Sequence, residues 1–284
     1  MIAPMRILEL SIRHSSSEGT FQSAMNLPDR IAKDGFDIVY VLPWMKLNRS
    51  LSASPYSVVD YHSIDDALGS LRDAHQWIQR CHDVGLDVVL DMPLNHTSPA
   101  HHWRANEDWY SRNEEGNAHS PDGTNWSDVL QLNHLNSHVA AACNKVLKFW
   151  MDAGIDGFRL DAASFIPDEI LQLWSGDLAR AKHVWCDSHS FTKRYPFFTS
   201  YLNHEAFELA QVNLNAWVDI VKSPSNGGIL YLSNHDTLHR GLSPQDQWKS
   251  QYGWVRKVLE DSSKDIMLSW CDLIDSNTRY SFLE

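Results

Sequence analysis

The stretch GFRLDAA, residues 157–163, sets an arginine and an aspartate two positions apart in an otherwise apolar run. Strand geometry points Arg159 and Asp161 to the same side. Either charge alone is costly to bury. Together they compensate, and the guanidinium favours the ionised form of the carboxylate. Three more apolar runs end in polar groups. Asp91, Asn95 and His96 lie in DMPLNH, Asp187 ends HVWCD, and Asn234, His235 and Asp236 lie in LSNHD. If these ends meet, one pocket holds several carboxylates, an arginine and two histidines. That set matches cleavage of a glycosidic bond. In a retaining reaction one carboxylate attacks and another, about 5–5.5 Å away, serves as acid/base. The nucleophile must stay ionised, a task suited to Arg159. The acid/base needs a raised pKa, which crowding by other carboxylates supplies.

The elements that would position these groups repeat along the chain: an amphipathic helix, a glycine, then a short apolar strand. Ile64, Ala67, Leu68, Leu71, Ala74, Ile78 and Cys81 mark one face of a helix beginning at Ser63. Gly85 ends it, and LDVVLDM follows as a strand. Val139, Cys143, Val146, Leu147 and Trp150 form a second face, closed by Gly154 before IDGFRLD. A shorter helix precedes Gly35 and FDIVYVLP. RILELSIR (6–13), KHVWCD (182–187), GGILYLSNHD (227–236) and DIMLSW (265–270) are the other strand candidates, with an eighth expected near AWVDIV (216–221). Such alternation indicates a parallel α/β sheet. A TIM (β/α)8 barrel is preferred to an open doubly wound sheet, because a barrel gathers strand C-termini at one mouth.

The whole chain, 1–284, is expected to form one barrel domain, since such a barrel takes about 250 residues. Residues 97–135 break the rhythm and form an inserted subdomain or loop after the third strand, overhanging the mouth. Beyond DIMLSW there is room for no C-terminal β domain, and the last barrel helix is expected to be reduced or missing, which would leave the barrel incomplete at its C-terminus.

A net charge of −12 argues against a surface that tracks phosphates, so no nucleic-acid partner is expected. No apolar run is long enough for a membrane span, and MIAPMRILEL lacks the pattern of a secretion signal. The four cysteines, Cys81, Cys143, Cys186 and Cys271, form no C-x-x-C. Buried thiols in a reducing compartment are the simplest account, and a cytoplasmic location follows. The 12 tryptophans suit a core and equally a cleft whose aromatic faces stack on sugar rings.

With those residues in place, the sequence resembles the α-amylase family of glycoside hydrolases, retaining enzymes on an eight-stranded barrel. The likeness runs from EGTF at 18–21 to NHDT at 234–237. DMPLNHT is similar to the family's first motif, GFRLDAA to its second and LSNHD to its fourth. The resemblance implies Asp161 as nucleophile and Asp236 as stabiliser of an oxocarbenium-like transition state. It also implies that Arg159, His96 and His235 hold the sugar, and that Tyr56, in SPYSVVDYHSID, stacks beneath it. Asp91 and Asn95 would be structural neighbours of the site. NWSDVLQLNHLN resembles the run leading out of the family's inserted domain.

The third motif departs from the pattern. Asp187 stands where the family has a glutamate acid/base, and its carboxylate is set back by about 1.5 Å, one C–C bond. A shift near 1 Å can cost about 100-fold in rate. Either the backbone compensates, or substrates need little protonation, or the chain is inactive. The expected function is therefore a retaining α-glycosidase or transglycosylase acting on small α-glucosides. The rival is a non-catalytic homologue that binds a sugar or a protein partner. A metal-dependent hydrolase is a third class, but HEAFE (204–208) is not H-E-x-x-H. No cofactor is expected. Ca2+ is the one candidate metal, with Asn95 its sole implied ligand, and RHSSSEGTF lacks an Asp-rich pattern.

Overall fold

The computed structural model describes residues 4–187, 189–223, 228–236, 248 and 251–270. Eight parallel strands form one sheet: β1 (Arg6–Leu10), β2 (Ile38–Val41), β3 (Asp87–Met92), β4 (Gly157–Leu160), β5 (His183–Cys186), β6 (Ser200–Tyr201), β7 (Leu230–Tyr231) and β8 (Ile266–Ser269). Their order in the sheet is β6-β5-β4-β3-β2-β1-β8-β7. The two edges meet through a parallel bridge between Leu202 and Ile229, with Ile229 N–H donating to Tyr201 O at 2.8 Å and Asn203 N–H to Ile229 O at 3.0 Å. The sheet is thereby closed into the expected barrel.

An apolar plug fills the barrel. Ile7, Ile38, Tyr40, Leu42, Val89, Trp185, Leu202, Ile229, Tyr231 and Met267 form one buried cluster. The strand β4 contributes none of it. Its Gly157 and Arg159 pair with the inward-facing Val89 and Asp91, so β4 brings space and charge rather than hydrocarbon. Gly157 is needed for sterics alone: a Cβ there would sit 2.2 Å from the His183 carbonyl oxygen.

The larger apolar core lies between sheet and helices. Helices α1 (Leu27–Lys33), α2 (Leu71–Asp83), α3 (Ser137–Asp152) and α4 (Asp168–Leu178) follow the first four strands. On α2 the buried residues Ala74, Trp77, Ile78 and Cys81 recur at helical spacing, and on α3 Val139, Cys143, Val146, Leu147 and Trp150 do the same. The second half carries α5 (His189–Arg194), α6 (His204–Val212), α7 (Leu214–Lys222) and α8 (Tyr252–Glu260). Among the described residues no helix is long and apolar enough to cross a membrane. Cys81, Cys143 and Cys186 are buried. Cys271 and the expected last helix lie outside the described residues.

Three expectations change. Residues 216–221 are helical, inside α7, and not a strand. Asn213 caps that helix by accepting from Ala216 N–H, and Trp217 and Val221 bury one face four residues apart. The remaining strand is the two-residue β6, too short to leave a periodic signal. The helix expected from Ser63 begins instead at Leu71, where Ser70 and Asp73 form a reciprocal capping box. Residues Val58–Ile64 are a strand paired antiparallel with Met45–Leu47. Finally, LSNHD is not part of β7, which ends at Tyr231.

The β4–β5 contact generates a test. Gly157→Ala places a methyl against backbone that cannot rotate away, so it should destabilise by about 1–3 kcal/mol, the range for overpacking. Urea unfolding measures this, and an unchanged midpoint would contradict the close approach of the two strands.

Candidate active site

Every polar strand end named from the sequence opens at the same rim. Asp91 lies in β3 and Arg159 in β4, paired in register. Asp161 follows β4, Asp187 follows β5, and His235 and Asp236 lie beyond β7. At the centre sits the Arg159 guanidinium, 4% exposed. Nη1 donates to Asp161 Oδ1 at 2.6 Å and to the two Asp91 oxygens at 3.0 and 3.1 Å. Nη2 and Nε donate to Asp187 Oδ1 at 2.5 and 3.1 Å. The backbone then adds a bond. Ala162 adopts a left-handed conformation, φ +52, rare for a residue with a Cβ, and its N–H donates to Asp187 Oδ2 at 3.2 Å.

Asp91 is the second hub. Its Oδ2 accepts from the hydroxyls of Tyr40 at 2.5 Å and Tyr56 at 2.8 Å. The Tyr56 oxygen also lies 2.8 Å from His235 Nε2, and His235 Nδ1 lies 2.8 Å from Glu9 Oε1. His204, on α6, stands with Nε2 4.0 Å from Asp187 Oδ1, and its Nδ1 is hydrogen-bonded to the Tyr231 hydroxyl. Glu9, Tyr40, His204 and Tyr231 were not singled out from the sequence. Only Glu9 carried a readable signal: an acid alone inside the apolar run RILELSI, the feature that drew attention to Arg159.

The charge pattern differs from expectation. Burial raises the Asp161 carboxyl to about 7, and the negative charges of Asp91 and Asp187 add to that, against the pull of Arg159. Asp187 moves the other way. Burial pushes it up, but the Arg159 charge and hydrogen bonds, with nearby His204, bring it down to about 2. The reason is geometric. One guanidinium cannot hold three carboxylates equally, and Asp187 has two of its N–H groups plus a backbone N–H, whereas Asp161 shares Nη1 with Asp91. His96 is buried, which lowers it to about 4, so its ring is neutral at pH 7. Asp236, half-exposed, is held low first by the charge of His235.

A cavity of about 790 Å³ opens over these groups. Tyr56, His96, Asp161 and Asp236 line it, together with Trp126 and the loops 49–54 and 125–129. Asp187 is not among its lining residues. The inserted segment supplies one wall. His96–Thr97 pairs with Leu130–Gln131, and Asn95 and Gln131 exchange amide hydrogen bonds of 3.0 and 2.7 Å. Of its tryptophans, Trp103 packs on Tyr61 and Trp109, while Trp126 reaches the cavity beside His96. The Asn95 amide is thus engaged at both ends, and among the described residues no three His, Cys, Asp or Glu side chains are placed to hold a metal ion.

Comparison with known proteins gives a consistent relationship. The family profile described as alpha amylase, catalytic domain, matches residues 15–205. The chain is 28% identical over 192 residues to Alpha-amylase 3 of Dictyoglomus thermophilum, covering 56% of this chain and 38% of that protein. It is 29% identical over 197 residues to an alpha-glucosidase of Candida albicans, covering 56% and 34%. A 4-alpha-glucanotransferase of Thermotoga maritima is 25% identical over 228 residues, 66% of this chain and 50% of that one. The chain thus spans between a third and a half of these relatives. In fold it is similar to an alpha-amylase from Lactobacillus plantarum, with a TM-score of 0.80 at 19% identity, covering 98% of this chain and 77% of that one.

The raised Asp161 carboxyl has a consequence for stability. In the unfolded chain it ionises near 3.8, in the folded protein near 7. Between those values the unfolded state has lost a proton that the folded state keeps, so this group's contribution falls as pH rises from about 4 to about 7. Asp161→Asn lacks that penalty. Its melting temperature relative to wild type should rise from pH 4 to pH 8, by an amount equivalent to a few kcal/mol (roughly 1.4 kcal/mol per pKa unit). Thermal melts across that range measure it, and a constant difference would contradict the raised value.

Proposed function

The chain belongs to the alpha-amylase family, and from that premise we propose that it is a retaining α-glycosidase or transglycosylase acting on small α-glucosides. The observation that carries the reading is the shared cavity of Asp161 and Asp236, with Arg159 tying Asp161 to Asp187 behind it. On this reading Asp161 attacks the anomeric carbon, Asp187 protonates the leaving oxygen and later activates water or a sugar hydroxyl, and Asp236 stabilises the positive charge in between. Tyr56 and His96 line the sugar's pocket, while Arg159 and His235 orient the groups that contact it. Relatives named alpha-glucosidase and 4-alpha-glucanotransferase fit both hydrolysis and transfer. The reaction needs carboxylates and an acceptor hydroxyl, so the reading includes no cofactor. The acidic surface fits a neutral sugar better than nucleic acid, and a cytoplasmic setting suits the buried thiols.

The resting charges oppose the working ones. Asp161 must be ionised to attack, and Asp187 must carry a proton to donate. On this reading the bound sugar changes the surroundings of the two carboxyls, so that Asp161 ionises and Asp187 takes up a proton. The clamp on Asp187 also favours a second reading, a homologue that binds a sugar or protein partner without cleaving it. An acid held near 2, and shorter than glutamate, is poorly suited to donate.

Aryl α-glucosides with activated leaving groups separate the two, because they need little acid assistance. The enzyme should turn them over, and Asp161→Asn should lower kcat by roughly a thousandfold or more, as loss of a nucleophile does. Unchanged turnover in Asp161→Asn would remove it as nucleophile. Asp187→Glu should raise the rate on poor leaving groups by up to about 100-fold, by extending the carboxyl toward the cavity. A binder without activity would give no product by mass spectrometry and would keep its affinity for maltose in Asp161→Asn by calorimetry.

A further inference from the structure

His235 is 2% exposed and Glu9 is wholly buried, yet the two make a 2.8 Å contact at the top of the barrel's interior. The other ring nitrogen of His235 faces the Tyr56 oxygen, also at 2.8 Å. Tyr56 has a single hydroxyl proton, and it donates that proton to Asp91 Oδ2. Asp91 also accepts from Arg159 and Tyr40, so it is an acceptor to every neighbour it meets here. The Tyr56 oxygen therefore turns a lone pair to His235, and Nε2 must carry hydrogen. A carboxylate at Glu9 can only accept, and opposite it Nδ1 carries hydrogen too. Both ring nitrogens are donors, which only the imidazolium form allows.

We propose that Glu9 is a positioning residue that keeps His235 an imidazolium, so that a charge-assisted Nε2–H donor is fixed beside Tyr56 and Asp236 at the cavity. The kinetic part of this rests on the glycosidase reading above; the ionisation of His235 does not. Glu9 Oε2 has no hydrogen-bond partner among the described residues. A buried carboxylate with one oxygen unmet is costly, and a neutral glutamine would fill the same space at less desolvation cost. What the carboxylate adds is charge beside the imidazole. The groups facing His235 are Glu9 from β1, Tyr56 from the loop after β2, Arg159 from β4, Asp161 just beyond it, and Asp236 from its own segment. Burial and Arg159 oppose protonation. The charge of Asp236 and the bond and charge of Glu9 outweigh them and raise His235 to about 9. Such a donor keeps its strength across neutral pH, where an ordinary histidine near 6.5 has lost it.

The experiment is an imidazole 13C and 15N NMR titration of the full chain, with the His235 resonance assigned by its loss in His235→Asn. Wild-type His235 should stay protonated at both nitrogens through pH 8. In Glu9→Gln its midpoint should fall by at least one unit. Turnover of an activated aryl α-glucoside gives the second readout. For Glu9→Gln, kcat/KM should lose at least about fivefold more at pH 9 than at pH 6 relative to wild type, because at pH 9 the wild-type imidazole is still about half protonated. A merely structural role would lower activity equally at every pH. Wild-type His235 titrating near 6.5, an unmoved midpoint in Glu9→Gln, or a pH-independent loss would each overturn the proposal. If Glu9→Gln does not fold, the wild-type titration decides by itself, with Glu9→Asp as the conservative rescue. If the wild type turns over no α-glucoside, the glycosidase reading fails while the titration still reports on Glu9.

Discussion

One guanidinium inside the barrel holds three carboxylates. Arg159 reaches Asp91, Asp161 and Asp187 with its side-chain nitrogens, and it is almost wholly buried while doing so. Burying an ion pair costs about as much as its attraction returns unless further hydrogen bonds complete it. Much of the surrounding structure supplies those bonds. Tyr40 and Tyr56 donate to Asp91, Ala162 bends into a left-handed conformation to donate to Asp187, and His204 faces Asp187 from α6. Asp161 receives least of this support, so burial dominates its ionisation. The unequal division of one cation sets the chemistry available at the mouth.

A second cation stands near the first. His235 is held between Glu9 and Tyr56, and Tyr56 connects it to Asp91 and so to Arg159. The two positive groups share an acceptor network rather than separate partners. A change at one is therefore felt at the other, and single substitutions here should not be additive. Below the network the barrel is hydrocarbon, which lowers the local dielectric and strengthens every one of these contacts. Above it the loops 49–54 and 125–129 shape the cavity, latched by the Ser52 hydroxyl donating to Asp128 at 2.5 Å.

Much of the fold was legible because its signals are local. The period-3.6 faces of α2 and α3 and the apolar runs of β2, β3 and β4 name themselves, and Gly85 and Gly154 both take positive φ at helix ends. The errors came where local signals mislead. The helix read from Ser63 would start inside the strand Val58–Ile64, and only the capping box at Ser70 fixes the true start. AWVDIV is rich in β-branched residues, yet an asparagine cap and one buried face make it helical. Strand β6 has two residues and exists because its neighbours hold it.

The sequence by itself determined which residues could do chemistry and in what order they follow the strands. Charges inside apolar runs are costly, so they mark positions where structure must compensate, and Arg159, Asp161, Asp187, His235 and Asp236 were visible for that reason. Only the tertiary structure decided how the charges are shared. Whether a carboxylate sits high or low depends on how many N–H groups reach it and how much water is excluded. Those are properties of residues brought together from β1, β3, β4, β5 and the loops between, at sequence separations as large as the 226 positions between Glu9 and His235. No local pattern encodes that division.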